Sequence, residues 1–99
     1  MKRAVRVLRR AQVDLLEIQA YVVRDRPAAA VKLVGALVGR LVDLENFPER
    51  GATPRDERLK RAGYRYVVHC EYLIFYKVMR SQVRVYRIVH GRRQYRHLL

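Results

Sequence analysis

Tryptophan is absent, cysteine occurs once, phenylalanine twice, and only 9 acidic residues face 22 lysines and arginines in a chain of 99. The lone Cys70 excludes an internal disulfide, and small secreted domains carry several cysteines, so a cytoplasmic home is expected. The amino end, Met1-Lys2-Arg3, lacks the apolar stretch of a signal peptide, and no apolar run approaches the ~18 residues that a membrane span needs. Neither secretion nor membrane insertion is expected. The five glycines are scattered at positions 35, 39, 51, 63 and 91, which leaves no phosphate-cradling loop. His69, His90 and His97, with one cysteine between them, show no ligand spacing, so neither a metal nor a small-molecule cofactor is expected. Paired carboxylates for acid-base work are missing too, and Glu17, Glu45 and Glu71 read as solvated.

What is present is a globular balance, 51% hydrophobic and 31% charged, of a length for one domain. The net charge is +13. A charge of that size attracts nucleic acid, anionic surfaces or an acidic protein partner and says nothing of fold. It is unevenly placed: residues 1–10 carry +5 and residues 64–99 carry +7, whereas residues 11–50 are close to neutral. A sheet with one face open to a partner is the expected carrier.

Periodicity supplies the elements. Residues 3–8 alternate as a strand, β-branched on one side and basic on the other. Ala11, Leu15, Ile18 and Val22 recur at helical spacing, with Leu16 and Val23 widening the stripe, which predicts a helix to about Arg24. Pro27 then opens a second helix running to about Asn46, where Leu33, Val34, Leu37, Val38, Leu41, Val42 and Leu44 occupy one half of the wheel. Gly35 and Gly39 within it read as tolerated rather than as a close approach of another backbone. Residues 48–63, with Pro48, Gly51, Pro54 and Gly63 among charges, read as loop. Three β-rich runs follow, 64–68, 72–78 and 83–90, with breaks short enough for hairpins. The expected fold is α+β, a two-helix hairpin packed on one face of a small antiparallel sheet, in the order β-α-α-β-β-β, with the first strand pairing with the later ones.

In the last run Val83, Val85, Arg87 and Val89 share a side under strict alternation, so Arg87 interrupts an apolar row and wants a partner. Arg65 can converge with it if the register allows. Beyond, His90-Gly91-Arg92-Arg93-Gln94-Tyr95-Arg96-His97 is a basic tail with an interleaved aromatic, which reads either as a phosphate grip with a base stacked on Tyr95 or as a solvated terminus. Cys70, in a hairpin turn, reads as an inert thiol.

The string Tyr72-Leu73-Ile74-Phe75-Tyr76-Lys77-Val78, then Val83 to Arg93, with Gly63-Tyr64-Arg65 upstream, resembles the RelE/ParE toxin superfamily and most nearly its ParE-like branch. Ala11 to Tyr21 is similar to that branch's first helix, and Phe47-Pro48-Glu49-Arg50-Gly51 to its post-helix turn, so nearly the whole chain is covered. The resemblance implies the toxin of a toxin-antitoxin pair, neutralised by an antitoxin with an acidic, amphipathic segment that wraps the helices and sheet. The charge agrees with such a partner.

Two mechanisms diverge within the superfamily. ParE-like members poison DNA gyrase, whereas RelE-like members cleave messenger RNA in the ribosome with basic residues on the sheet. Where ribonuclease members tend to carry arginine, this chain has Leu73, which cannot stabilise transition-state charge. Gyrase poisoning is therefore preferred, with Arg65, Arg87, His90, Arg92 and Arg93 as the expected target-binding surface and Leu16 and Val23 as antitoxin contacts. Under the ribonuclease alternative, Arg93, Tyr95 and His97 are the catalytic candidates. A non-toxic basic nucleic-acid-binding module and an inactive family member are the other readings.

Overall fold

The computed structural model describes residues 3–92 and 95–99, Arg96 by its backbone alone. The chain runs β1 (Ala4–Val7), α1 (Arg9–Val23), α2 (Pro27–Asp43), α3 (Glu57–Arg61), β2 (Tyr64–His69), β3 (Tyr72–Val78), β4 (Gln82–His90) and a closing 3-10 turn (Tyr95–Leu98). The expected order holds, with one addition. Residues 57–61 form a helical turn where loop was expected, because the Asp56 carboxylate caps it by accepting from the Leu59 amide at 3.1 Å. That turn drives Leu59 fully into the protein.

Pro27 occupies the first turn of α2, where its missing N–H costs no hydrogen bond. The helix stops at Asp43, short of Asn46, and a turn over 44–46 hands the Glu45 carbonyl to the Arg3 amide at 2.9 Å. Leu37, Leu41 and Leu44 are buried, but Val38 and Val42 are 44% and 52% exposed, so the apolar stripe is wider than its contact with the sheet. Both helix glycines, Gly35 and Gly39, face open space, so no backbone approaches there.

The sheet order is β1-β4-β3-β2. Strands β2, β3 and β4 form an antiparallel meander, while β1 joins β4 in parallel, which makes the sheet mixed rather than wholly antiparallel. A parallel pair cannot be closed by a hairpin, and here all of residues 8–81 lie in the connection. The helix pair covers one face, where Ala11, Leu37, Leu41 and Leu44 meet Ile74, Tyr76, Val83, Val85 and Ile88. The opposite face is not open throughout. Leu59 of α3 and Tyr95, Leu98 and Leu99 of the carboxyl end pack there with Tyr64, Phe75 and Val89.

A bulge breaks the alternation expected of β4. Phe75 pairs with Arg87 but Tyr76 pairs with Val85, so Tyr86 is the extra residue. Val83 and Val85 face the helices, Ile88 joins them there, and Val89 is turned to the second face.

Candidate functional site

Arg87 finds its partner across 73 residues of sequence. Asp14, on the sheet-facing side of α1 and 3% exposed, accepts from Arg87 Nε at 2.8 Å and Nη2 at 3.0 Å, and its Oδ2 also accepts from the Ile88 amide at 2.9 Å. β1 pairs with β4 only as far as Val85, so the Ile88 amide lies past the last residue that β1 reaches. One carboxylate thus closes an ion pair and a strand edge together. The remaining Nη1 of Arg87 donates to the Leu98 carbonyl at 3.1 Å, which ties the closing turn to the bulge.

Arg65 and Arg87 do not converge. Arg65 lies opposite Tyr76 and donates to the carbonyls of Glu49 and Gly51 at 3.3 and 3.1 Å, whereas Arg87 lies opposite Phe75 and is taken by Asp14. The turn that holds Arg65 depends on Gly51. Its N–H donates to the buried Tyr76 hydroxyl at 2.8 Å, and a Cβ there would lie 2.8 Å from the Tyr66 carbonyl and collide with the Tyr76 ring end. Burial pushes the Tyr76 hydroxyl above its ordinary pKa of 10.0, and the Gly51 N–H pulls the other way.

At the far end of β4, His90 is bracketed by Glu71 and Arg92. Its Nε2 lies 3.0 Å from Glu71 Oε2, and its Nδ1 accepts from the Arg92 amide at 3.2 Å. An accepting Nδ1 assigns the ring as the neutral Nε2–H tautomer, donating to Glu71. The Tyr72 ring stands edge-on at 5.5 Å. Burial, then Glu71, then Tyr21, raise the Tyr72 hydroxyl above 10.0. His90 and the exposed Arg92 border an open cleft of about 1040 Å³ with Glu17, Tyr21, Asp25 and Tyr72. Arg93 lies outside the described residues.

The carboxyl tail is not a free basic strand. Tyr95 packs on Phe75 with ring centroids 4.9 Å apart, so its aromatic ring serves the second face of the sheet, and His97 is exposed on the same turn. Leu16 and Val23 are 65% and 43% exposed. Leu16 borders an apolar groove of about 600 Å³ between β1 and the helix pair, with Val5, Val7, Leu15, Val38 and Val42, while Val23 sits beyond it. Sequence reasoning missed Asp14. The available signal was an aspartate within the apolar stripe of α1, one turn after Ala11 and one before Ile18. Among the described residues no helix is long and apolar enough to cross a membrane.

A helix hairpin laid on a four-stranded sheet, with a buried ion pair joining the first helix to the last strand, defines a small α+β class of basic proteins. Residues 5–95 match the family model described as the ParE toxin of the type II toxin-antitoxin system, parDE, and the chain belongs to that family. Among solved structures it is similar to the chromosomal ParDE system of P. aeruginosa, with a TM-score of 0.74 and 22% identity over 90% of this chain and 96% of that one. It is similar also to the RelBE2 toxin-antitoxin complex of Mycobacterium tuberculosis, with a TM-score of 0.68 and 24% identity over 91% and 99% of the two chains. At such identities the likeness is one of fold. No curated protein matches the chain.

Proposed function

We propose that this chain is the growth-inhibiting toxin of a type II pair, that it poisons DNA gyrase, and that a cognate antitoxin with an acidic, amphipathic segment neutralises it. The observation that carries this reading is the match to the ParE family over residues 5–95. Two features favour gyrase over messenger RNA cleavage. Leu73 on β3 offers no charge to a scissile phosphate, and Tyr95, a candidate acid or base, is packed on Phe75. The fold likeness to a RelBE complex keeps the ribosome as the alternative target.

The target surface in this reading is the far end of β4 and the basic segment after it, namely His90, Arg92 and Arg93, with Arg65 at the start of β2 beside the turn of residues 49–51. Arg87 contributes from within, by anchoring the closing turn through Leu98. The antitoxin's apolar side chains would occupy the groove beside Leu16, and its acidic ones would meet a chain of net charge +13. Val23 extends that contact along α1.

Radiolabel incorporation within minutes of induction tests the reading. DNA synthesis is expected to fall first, with cleaved plasmid accumulating bound to gyrase, and the R92E/R93E double variant is expected to fold but lose growth inhibition. An early fall in protein synthesis with DNA synthesis intact would move the target to the ribosome and return Arg93, Tyr95 and His97 to catalytic candidacy.

A further inference from the structure

The outer side of α2 carries a second apolar row that the sheet does not cover. Leu37, Leu41 and Leu44 turn inward to the sheet, whereas Val31, Val38 and Val42 are 72%, 44% and 52% exposed. With Gly35 the three valines follow the alternating four- and three-residue spacing of a helix-helix seam. Charge decides what can lie on it. Across residues 27–50, Lys32, Arg40 and Arg50 balance Asp43, Glu45 and Glu49, whereas residues 1–10 carry +5 and residues 64–99 carry +7. A second copy of the chain meets like charge on the sheet side, and at the outer edge of β1 the +5 of residues 1–10 would face itself. The helical layer escapes this. When two such layers meet, two helix diameters of about 10 Å each hold the cationic sheets farther apart than the Debye length of about 8 Å at physiological salt.

The row is also complementary to itself. A two-fold axis across its middle runs two α2 helices antiparallel, with Val31 beside the second copy's Val42 and Val38 beside the second copy's Gly35. Lys32 and Asp43 each follow a seam valine by one position, so both lie on the same flank of the helix. Such an axis keeps like flanks together and therefore brings Lys32 to the second copy's Asp43, twice. Lys32 is exposed, and the half-exposed Asp43 pairs at 3.5 Å with an equally exposed Arg50, which leaves its carboxylate open to a further cation. Antiparallel packing also sets the two helix dipoles against each other favourably.

We infer that two copies of this chain associate through α2, in an antiparallel seam of valines flanked by Lys32–Asp43 ion pairs. A seam of one helix from each copy, about 25 Å long for 17 residues, lies at the small end of protein interfaces, so the association is weak and follows concentration. Val38 and Val42 also line the groove beside Leu16, so a second copy and the proposed antitoxin exclude one another. That exclusion rests on the toxin function proposed above, whereas the pairing of copies does not.

Sedimentation equilibrium of the full chain, from micromolar to near-millimolar concentration at physiological ionic strength, tests the inference. The average mass is expected to rise from 11.8 kDa toward twice that value. K32D and D43K are each expected to weaken association by about tenfold, because both ion pairs become like-charge pairs. The double variant K32D/D43K restores the pairs with their signs exchanged and is expected to recover most of the loss. V38D, which places an unpaired carboxylate in the seam, should hold the chain monomeric. A chain that stays monomeric throughout would overturn the inference and leave the row to the antitoxin. Single charge variants that associate like the parent, or a double variant no better than the singles, would overturn the seam. If V38D also melts lower, the charge exchange decides, since loss of fold cannot produce recovery in a double variant. The measurement contains neither antitoxin nor gyrase, so its outcome is separate from that of the radiolabel assay.

Discussion

Asp14 joins the first helix to the last strand. It is the counter-ion of a buried guanidinium and accepts from a strand amide that β1 does not reach, and Arg10 on the same helix stands 3.6 Å from its Oδ1. Replacing Asp14 with alanine should cost about 3–5 kcal/mol, because Arg87 stays buried without its counter-ion. Urea denaturation checks this, and a midpoint equal to the parent's would refute it. The double change D14L/R87M should recover part of the loss, since an apolar pair carries no desolvation penalty. Tyr76 offers a smaller test. Removing its hydroxyl in Y76F orphans the Gly51 N–H and should cost about 1 kcal/mol. Burial raises Tyr76 above 10.0, so the unfolded chain ionises first as pH rises. Its contribution is complete below pH 10 and is lost as pH climbs through the folded value, and Y76F should show a shallower alkaline loss of stability.

At the scale of elements, the β2-β3 hairpin closes over two residues, Cys70 and Glu71, and Cys70 has φ +53. Positive φ at the first central position is the geometry that glycine serves best in tight hairpins. C70G is therefore expected to raise stability by up to about 1 kcal/mol and C70V to lower it, as read from thermal unfolding. The loop before α3 also shields an edge. Ala52 exchanges both backbone hydrogen bonds with Tyr66, at 2.8 and 2.9 Å, on the outer strand of the meander. A strand edge so engaged is a poorer template for another chain.

For the molecule as a whole, two layers divide the work. The helical layer is nearly neutral and exposes Leu16, Val38 and Val42 along a groove, and the sheet layer and its end carry the positive charge. The proposed antitoxin should therefore protect amides of α1 between Leu16 and Val23, and of α2 around Val38 and Val42, when hydrogen exchange is compared with and without it. No change on either helix would contradict that placement.

Local chemistry made most of the elements legible. Helical and strand periods are written in neighbouring residues, and α1, α2 and the three later strands lie within about three residues of where spacing and proline signals place them. The uneven placement of charge was legible for the same reason, whereas Leu16 and Val23, which periodicity adds to the apolar stripe of α1, prove to be 65% and 43% exposed. Other features required the chain to fold. The short α3 hid in a charged segment, although Asp56, an N-cap residue type, followed by Glu57 in the first turn, is a helix-start signal in retrospect. The parallel entry of β1, the bulge at Tyr86 and the separation of Arg65 from Arg87 depend on register between strands far apart in sequence. The same holds for Asp14, whose neighbours on α1 say nothing of an arginine 73 residues away. Sequence alone determined which stretches coil or extend and where the charge lies, because those depend on adjacent residues. Only the tertiary structure decided which cation meets a carboxylate, as Arg87 does, and which meets only carbonyls, as Arg65 does, because packing between distant elements sets the distance between charges.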